Sequence, residues 1–283
     1  MGGNGGLKYA WYLLRRSPLT LVGAAVVLGV VVVAALAPVL APYPPDEVNF
    51  ASRLLPPGPQ HWFGTDELGR DILSRVIWGS RASVGAGFLI VAVAVSVGLV
   101  VGSISGYFGG RLDTVIMRLM DIVLGFPSLI LAMALAAALG PNLTNAMLAV
   151  AFVRIPVYVR LVRGQSLQVR EREFVKGARC FGASHLWIIV RHVLPNSISP
   201  VIVQATLDIG GAILTASALS FLGLGAQPPL AEWGAMVASG RRFILDQWWY
   251  PTFPGLAIFV TAMGFNLCGD GLRDLLDPRA RGQ

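Results

Sequence analysis

The hydrophobic positions of this chain fall into long uninterrupted runs that are separated by polar stretches. A helix needs roughly 20 apolar residues to cross a bilayer, and several of the runs approach or exceed that length. Only helices and closed barrels satisfy the backbone in lipid, and barrel strands alternate apolar with polar positions. The continuous runs therefore predict an all-α, polytopic integral membrane protein with about six transmembrane helices. The predicted segments are residues 19–41, 82–107, 114–139, 145–162, 197–224 and 251–268.

The polar stretches between the runs define the expected domain organisation. The expected parts are an N-terminal segment (1–18), the first span (19–41), an external loop (42–81), a core domain (82–272) that includes a polar loop (165–196), and a tail (273–283). Lys8, Arg15 and Arg16 give the chain the basic start of a signal peptide. The apolar run that follows is longer than a signal peptide needs, and no small-residue cleavage site closes it. We therefore expect a retained membrane anchor.

The composition agrees with a membrane protein. Of the 283 residues, 55% are hydrophobic and 13% are charged, whereas soluble domains carry about 25% charged residues. The mean hydropathy is +0.67. The two cysteines, Cys180 and Cys268, are too few and too far apart to indicate a disulfide framework.

Positive charge is distributed unequally over the predicted topology. Cytoplasmic loops of membrane proteins carry an excess of Lys and Arg. If the N-terminus is cytoplasmic, sixteen of the 22 Lys and Arg residues fall on the cytoplasmic side and six on the other. Both termini and the loop at 165–196 are then cytoplasmic. The net charge of +7 thus indicates orientation in the membrane and gives no support for nucleic-acid binding.

The loop at 165–196, here called the coupling loop, contains an ordered series of helix signals. Residues 173–179 have helical composition and mixed charge. Gly182 is suited to end that helix in the left-handed conformation, and Pro195 is tolerated in the first turn of the next membrane helix. We expect a short cytoplasmic helix that lies across the ends of two spans. The alternative is an ordinary positively charged loop without a docking role.

The spacing within this loop carries a resemblance. Three residues separate Ala178 from Gly182, nine more lead to His192, and Leu194-Pro195 closes the segment. This resembles the docking loop of the membrane subunits of bacterial ATP-binding-cassette importers, whose pattern begins Glu-Ala-Ala where this chain has Lys176, Gly177 and Ala178. The resemblance implies the type I importer permease fold with a coupling helix. The residues assigned to docking are Glu173, Phe174, Lys176, Gly177, Ala178, Arg179, Gly182, Ala183, His192, Pro195 and Asn196.

Other motifs extend the resemblance over nearly the whole chain. They are similar to motifs of the dipeptide, oligopeptide and nickel branch of these permeases, and the tail is similar to that of the second of the two permease subunits. Residues 142–164 and 246–250 look most similar to D,D-dipeptide members. The motifs lie at residues 61–71, 106–110, 219–225, 232–236 and 269–278.

The resemblance also implies partners and a location. The implied partners are a second homologous permease subunit, two cytoplasmic ATPase subunits and an extracytoplasmic substrate-binding protein, in the bacterial plasma (inner) membrane. The implied function is import of dipeptides or short oligopeptides, with nickel or glutathione import as the alternative within the family. ATP and Mg²⁺ would be bound by the ATPase subunits, and no cofactor is expected on this chain.

The chain contains none of the common catalytic signatures. The phosphate-binding signature requires a Gly-Lys pair, and neither Lys8 nor Lys176 follows a glycine. The sequence also lacks H-E-x-x-H, C-x-x-C and G-x-S-x-G. We therefore expect a transport subunit and not an enzyme. Two other classes remain open. An ATP-independent secondary transporter or channel would use intramembrane charges for ion coupling, and an integral-membrane enzyme would need a convergent nucleophile or metal set.

Ionisable residues inside predicted spans are candidate functional residues because they are costly in lipid. Arg154 lies within the fourth run, and Asp208 is the only charged residue of the fifth. They are expected either to form a buried pair that fixes packing or to line a polar pathway. Arg118 and Asp121 are spaced to form a local pair one turn apart.

A four-residue repeat of glycine lies in the second half of the second run and continues just past its end. Gly98, Gly102, Gly106 and Gly110 form an extended G-x-x-x-G pattern, which allows helices to approach closely. We expect this face to pack against a neighbouring span or a partner subunit. Coincidence in a chain with 33 glycines is the alternative.

Overall fold

The computed structural model describes residues 18–276, and the predicted segments at 1–17 and 277–283 lie outside the described residues. Within the described range the fold is helical, and the one β-bridge, between Thr65 and Asp71, is isolated. The helices are α1 (Pro18–Ala35), α2 (Ala37–Leu40), α3 (Ile72–Phe108), α4 (Gly110–Leu124), α5 (Ser128–Leu139), α6 (Leu143–Arg170), α7 (Glu173–Cys180), α8 (His185–Ile188), α9 (Leu194–Phe221), α10 (Trp233–Gly240) and α11 (Trp249–Leu276). This confirms the predicted all-α class.

The count of membrane spans agrees with the sequence pattern. Among residues 18–276, five helical runs are long and apolar enough to cross a membrane: α1, α3, α6, the run from α8 through α9, and α11. The pair α4 and α5 makes a sixth span if the two helices are counted together. A π-helical turn, Ile189–Val193, joins α8 to α9, so the fifth run begins at His185. Pro195 lies in the first turn of α9, as predicted.

The prediction of one continuous span over 114–139 is wrong, because this segment forms two helices with a sharp bend between them. α4 and α5 meet at an angle of 91°, across the segment Gly125-Phe126-Pro127. Proline has no N–H and restricts the residue before it to extended conformations, so it ends a helix at this point. The apolar run continues through the break, and for that reason hydropathy does not reveal it.

Three spans are longer than their apolar runs. α3 begins at Ile72, ten residues before the predicted start, because the Asp71 side chain accepts a hydrogen bond from the backbone N–H of Ser74 at 2.7 Å. α6 continues to Arg170 and α11 to Leu276, through polar residues that project beyond the apolar core of the membrane. Residues 72–81, assigned above to the external loop, are thus helical.

The glycine series brings α3 and α6 together. A Cβ atom on Gly102 would lie 2.6 Å from the carbonyl oxygen of Val159, and one on Gly106 would lie 2.6 Å from that of Arg163. Gly98 is similarly close to Tyr158. Gly110 does not belong to this face, because it begins α4 with a φ of +61° and has open space around it. The predicted packing face therefore consists of three glycines.

The predicted loop at 227–250 is a structured cap. It contains α10, which packs against α3, α9 and α11, and Trp233 and Met236 are buried there with Ile72, Trp249 and Tyr250. The Glu232 carboxylate is 1% exposed. It accepts hydrogen bonds from Gly234 N and Ala235 N and from the hydroxyls of Ser83 and Ser217, at 2.9 to 3.3 Å. This carboxylate joins α10 to α3 and α9.

Candidate functional site

The coupling loop folds as a short helix followed by a turn. α7 ends at Cys180, and Gly182 follows with a φ of +79°, the left-handed conformation that the sequence predicted for it. No atom outside its chain neighbours lies within 4 Å of a Cβ built on Gly182. A side chain there is therefore opposed by backbone strain and not by crowding. Ser184 then caps α8 by accepting a hydrogen bond from Trp187 N at 3.3 Å.

One side of α7 is anchored to the ends of the membrane helices. Val175 is fully buried in an apolar cluster whose other buried members come from α3, α6, α8 and the π-helical turn. Those members are Tyr107, Val169, Ile188, Ile189 and Val193. Val175 therefore ties α7 to the ends of three spans.

Polar contacts reinforce this anchor. The Tyr107 hydroxyl is hydrogen-bonded to His185 Nδ1 at 2.9 Å, and the Arg179 guanidinium lies 5.0 Å from the centre of the Tyr107 ring. Arg170 Nη1 donates to the carbonyl oxygen of Gly106 at 3.0 Å. Arg170 precedes α7 and His185 follows it, so the contacts hold the two flanks of α7, together with its Arg179, to the last turn of α3.

The other side of the coupling loop is exposed and mixes apolar with charged side chains. Phe181 is 94% exposed and Leu186 is 72% exposed, and Trp187 is exposed as well. Lys176 Nζ lies 3.3 Å from Glu173 Oε1, and the Glu173 side chain is 91% exposed. Phe181 lies between α7 and the fifth span, so its exposed ring is a candidate contact for another protein.

The predicted docking residues divide between the exposed surface and its edge. His192 packs its ring against those of Phe174 and Trp187, with centroids 5.4 and 5.0 Å away, and Asn196 Nδ2 donates to the His192 carbonyl at 2.6 Å. The exposed members are Glu173, Phe174, Lys176, Arg179, Gly182, Pro195 and Asn196, and the half-buried ones are Gly177, Ala178, Ala183 and His192.

Sequence reasoning missed the two residues that define the sides of this loop. Val175 was not selected because a single valine in a charged segment carries no periodic signal. Phe181 was not selected either, although an aromatic residue in an otherwise polar cytoplasmic segment is a signal in itself. Tyr107 and His185 lie 78 residues apart in sequence, so their contact had no local signature.

Arg154 and Asp208 form an ion pair between α6 and α9 through Nη1 and Oδ1. The Tyr158 hydroxyl donates to Asp208 Oδ2 at 3.0 Å, and Arg154 Nη2 donates to Thr215 Oγ1 at 3.3 Å. These four residues are called the polar cluster below. Tyr158 and Thr215 were missed by the sequence analysis, although they stand four residues after Arg154 and seven after Asp208, on the same helix faces.

A cavity of about 210 Å³ opens beside the polar cluster. Arg154 and Thr215 line it together with Ser128 at the start of α5, and its apolar wall includes Phe126, Val150 and Val157. The break between α4 and α5 therefore borders this cavity. Irregular backbone at membrane depth is tolerated where it is buried in protein or lines a cavity.

The prediction of a local pair between Arg118 and Asp121 is wrong. Asp121 pairs with Arg160 of α6, and Asp113 pairs with Arg163 at 2.5 Å. Arg160 and Arg163 are one turn apart and face the same helix, so they fasten α4 to α6 at two points. Both ion pairs depend on the position of α4, which the sharp bend between α4 and α5 allows to lie against α6. An interpretation of 114–139 as one span does not anticipate that position.

No further site of metal or thiol chemistry emerges. Among residues 18–276, no group of three or more His, Cys, Asp or Glu side chains is placed to hold a metal ion. Cys180 and Cys268 are both free.

Two protein families match parts of this chain. Residues 98–282 match the family described as "Binding-protein-dependent transport system inner membrane component". The chain belongs to this family. The preceding part of the permease, residues 7–57, matches the "N-terminal TM domain of oligopeptide transport permease C". The anchored coupling loop and the polar cluster both lie within the first match.

The permease also has well-covered relatives among characterised proteins. It is 57% identical over 278 residues to the probable D,D-dipeptide transport system permease protein of Escherichia coli (strain K12), covering 98% of this chain and 93% of that relative. It is 46% identical to the dipeptide transport system permease protein of Alkalihalophilus pseudofirmus, covering 97% and 90%. It is 44% identical to the glutathione transport system permease protein of Escherichia coli O6:K15:H31, covering 96% and 90%. The permease is thus a multi-span inner membrane component of a transporter.

Proposed function

We propose that this permease imports dipeptides or short oligopeptides across the bacterial plasma membrane as one of two homologous membrane subunits. The relatives named for D,D-dipeptide and dipeptide transport, at 57% and 46% identity over almost the full chain, support this substrate class. A glutathione permease at 44% identity supports glutathione, itself a small peptide, as the alternative cargo. The external binding protein would select and deliver the substrate.

The energy would come from two cytoplasmic ATPase subunits that bind ATP and Mg²⁺. The observation that carries this part of the proposal is the two-sided structure of α7 and its turn. Val175 packs inward against the ends of the spans, whereas Phe181 points away from them and is 94% exposed. An ATPase that binds the outer side and closes on ATP would move α7, and the packed inner side would transmit that movement as a rigid-body shift.

The proposed orientation places both chain termini and the coupling loop in the cytoplasm. The excess of Lys and Arg on that side supports this orientation. The external side would then hold the buried cap around Glu232 and the turn at 61–71, in which Asp66 accepts hydrogen bonds from Arg70 N and Nε at 3.0 and 2.6 Å.

The docking proposal is tested by replacing Gly182 with leucine. The φ of +79° is unfavourable for a side chain, so Gly182→Leu should displace the turn while the protein still inserts. We expect peptide uptake by the assembled transporter to be lost, either with ATPase association or with coupling of ATP hydrolysis to transport. Gly164→Leu is the matched control, because Gly164 lies inside α6 with open space around its Cβ position. Normal uptake by the Gly182 variant would contradict the docking assignment.

The substrate class is tested with the complete purified transporter in liposomes. We expect ATP-dependent accumulation of labelled dipeptide when the permease pair, the ATPases and the binding protein are all present. Accumulation of nickel or glutathione, without accumulation of dipeptide, would make that compound the substrate instead. Transport by the permease alone, driven by an ion gradient, would favour an ATP-independent secondary transporter.

A further inference from the structure

Two members of the polar cluster open onto a cavity. Arg154 and Thr215 line the cavity of about 210 Å³, and most of its remaining wall is apolar. That volume exceeds the roughly 150 Å³ of a cavity that accommodates a benzene molecule. A charged guanidinium at the edge of an apolar space is the usual arrangement of a ligand pocket, in which a few polar groups fix the orientation of the ligand.

The Arg154 guanidinium has N–H groups that are not used in hydrogen bonds to Asp208 or Thr215. A guanidinium carries five N–H groups. Within residues 18–276, Arg154 donates one hydrogen bond to Asp208 and one to Thr215. Its side chain keeps 20% of its surface exposed. An anion in the cavity can therefore bind Arg154, and the planar fork of the guanidinium suits a carboxylate in particular.

Each member of the ion pair keeps one hydrogen bond if the pair opens. Asp208 keeps the hydrogen bond from the Tyr158 hydroxyl at 3.0 Å, and Arg154 keeps its bond to Thr215 at 3.3 Å. Breaking a buried ion pair is normally costly because it leaves an uncompensated charge. An incoming carboxylate removes that cost for Arg154, whereas the displaced Asp208 is left with the Tyr158 hydroxyl as its donor, which favours brief occupancy of the cavity over stable binding.

We propose that the cavity beside Arg154 is a transit subsite for the C-terminal carboxylate of a passing peptide, which displaces Asp208 from the guanidinium. The inference rests on the proposed function, because it assumes a peptide cargo. Ser128 places the first turn of α5 at the same cavity, and the positive end of a helix dipole favours an anion there. The subsite makes Arg154 a specificity-determining residue of the membrane path, in addition to any selection by the binding protein.

The test compares a free dipeptide with the same dipeptide carrying a C-terminal amide. Initial ATP-dependent uptake of both labelled peptides is measured with the complete transporter in liposomes. The variant combines Arg154→Gln with Asp208→Asn, so that neither charge is left unpaired. The preference of the wild-type transporter for the free carboxylate should fall at least about tenfold in this variant, as expected for the loss of a hydrogen bond to a charged group. The preference of the binding protein cancels, since the same binding protein serves every reaction.

The permease offers a matched control on the same helix. Arg160→Gln combined with Asp121→Asn removes a second arginine–aspartate pair of α6, whose side chains are half exposed and which does not line the cavity. The preference should be unchanged in this control. If the cavity variant fails to assemble, Thr215→Val removes the hydroxyl that holds Arg154 and should still reduce the preference several-fold.

The outcomes separate the inference from the function beneath it. Wild-type uptake of dipeptide with an unchanged preference in both cavity variants overturns the subsite alone. Equal loss of both peptides, at a constant ratio, overturns it as well and assigns the polar cluster to packing. Absence of dipeptide uptake by the wild-type transporter overturns the proposed function and the subsite together.

Discussion

The cap and the coupling loop are both polar interruptions between apolar spans, yet their carboxylates have opposite environments. Glu232 in the cap and Asp66 in the turn at 61–71 are each 1% exposed and are surrounded by hydrogen-bond donors. In the coupling loop, the Glu173 side chain is 91% exposed and contacts only a half-exposed lysine. Polarity along the sequence is therefore compatible with either a locked structural element or an open surface.

The difference lies in where the hydrogen-bond donors come from. Glu232 receives donors from α3, α9 and α10, which are brought together only in the folded chain. Glu173 has a partner one turn away on its own helix. The cap has therefore completed its interactions within this chain, whereas the coupling loop leaves its outer side available to another protein.

The largest effect should come from removing the buried carboxylate of the cap. Glu232→Ala leaves two backbone N–H groups and two hydroxyls without their acceptor. We expect a loss of about 3 kcal/mol in the free energy of unfolding. The measurement is the thermal unfolding of the detergent-purified permease, with Glu173→Ala as the control. Equal stability of the two variants would remove the distinction between cap and loop.

The next effect should come from the inner side of the coupling loop. Val175→Ala opens a gap in the apolar cluster that holds α7 against the spans, at a cost of about 2 kcal/mol. We expect α7 to detach more readily, so that amide hydrogen exchange in α7 rises and uptake falls while ATPase association persists. Unchanged exchange would mean that α7 is held by its polar contacts alone.

A smaller effect, on association alone, is expected from the outer side of the same loop. Phe181→Ser should weaken co-purification of the ATPase subunits by about 10- to 30-fold, as for an aromatic contact residue at an interface, without changing thermal stability. Leu245→Ser is the matched control, because Leu245 is equally exposed, at 94%, but lies in the cap and not in the coupling loop. If both variants bind the ATPases like the wild type, Phe181 is not part of the contact.

The smallest effect is expected from the exposed ion pair of the loop. Glu173→Gln removes the contact with Lys176, and exposed pairs contribute only about 0–1 kcal/mol. The midpoint of thermal unfolding should therefore stay within experimental error of the wild type. A clear drop would show that Glu173 has a structural partner in the folded permease, as the carboxylates of the cap do.

The spans and the turn of the coupling loop were predictable because local physics dictates them. Lipid requires continuous apolar helices, and a helix that ends in the left-handed conformation favours glycine, which is why Gly182 was identified correctly. Gly98, Gly102 and Gly106 could be selected as a packing face from their spacing. Gly110 was included wrongly, because the same spacing continues past the end of α3.

The remaining features depend on contacts between distant parts of the chain. The break before Ser128 turns an apolar run through 91° without changing its hydropathy, and Pro127 was its only signal. Asp121 pairs with Arg160 because that break places α4 against α6. Two of the four donors to Glu232 are local, at Gly234 and Ala235, but Ser217 and Ser83 lie 15 and 149 residues away, so no local pattern predicts that this glutamate is buried.

The proline inside α6 has a mechanical consequence. Pro156 lies two residues after Arg154 and removes one backbone hydrogen bond of the helix. This turn is therefore where α6 bends most easily. The arm from Pro156 to Arg170 is about 21 Å long, so a rotation of about 5° at the pivot displaces its cytoplasmic end by about 2 Å. A displacement of that size at α7 thus corresponds to only a small rotation beside the Arg154–Asp208 pair. A hydrogen bond there is made or lost over less than 1 Å.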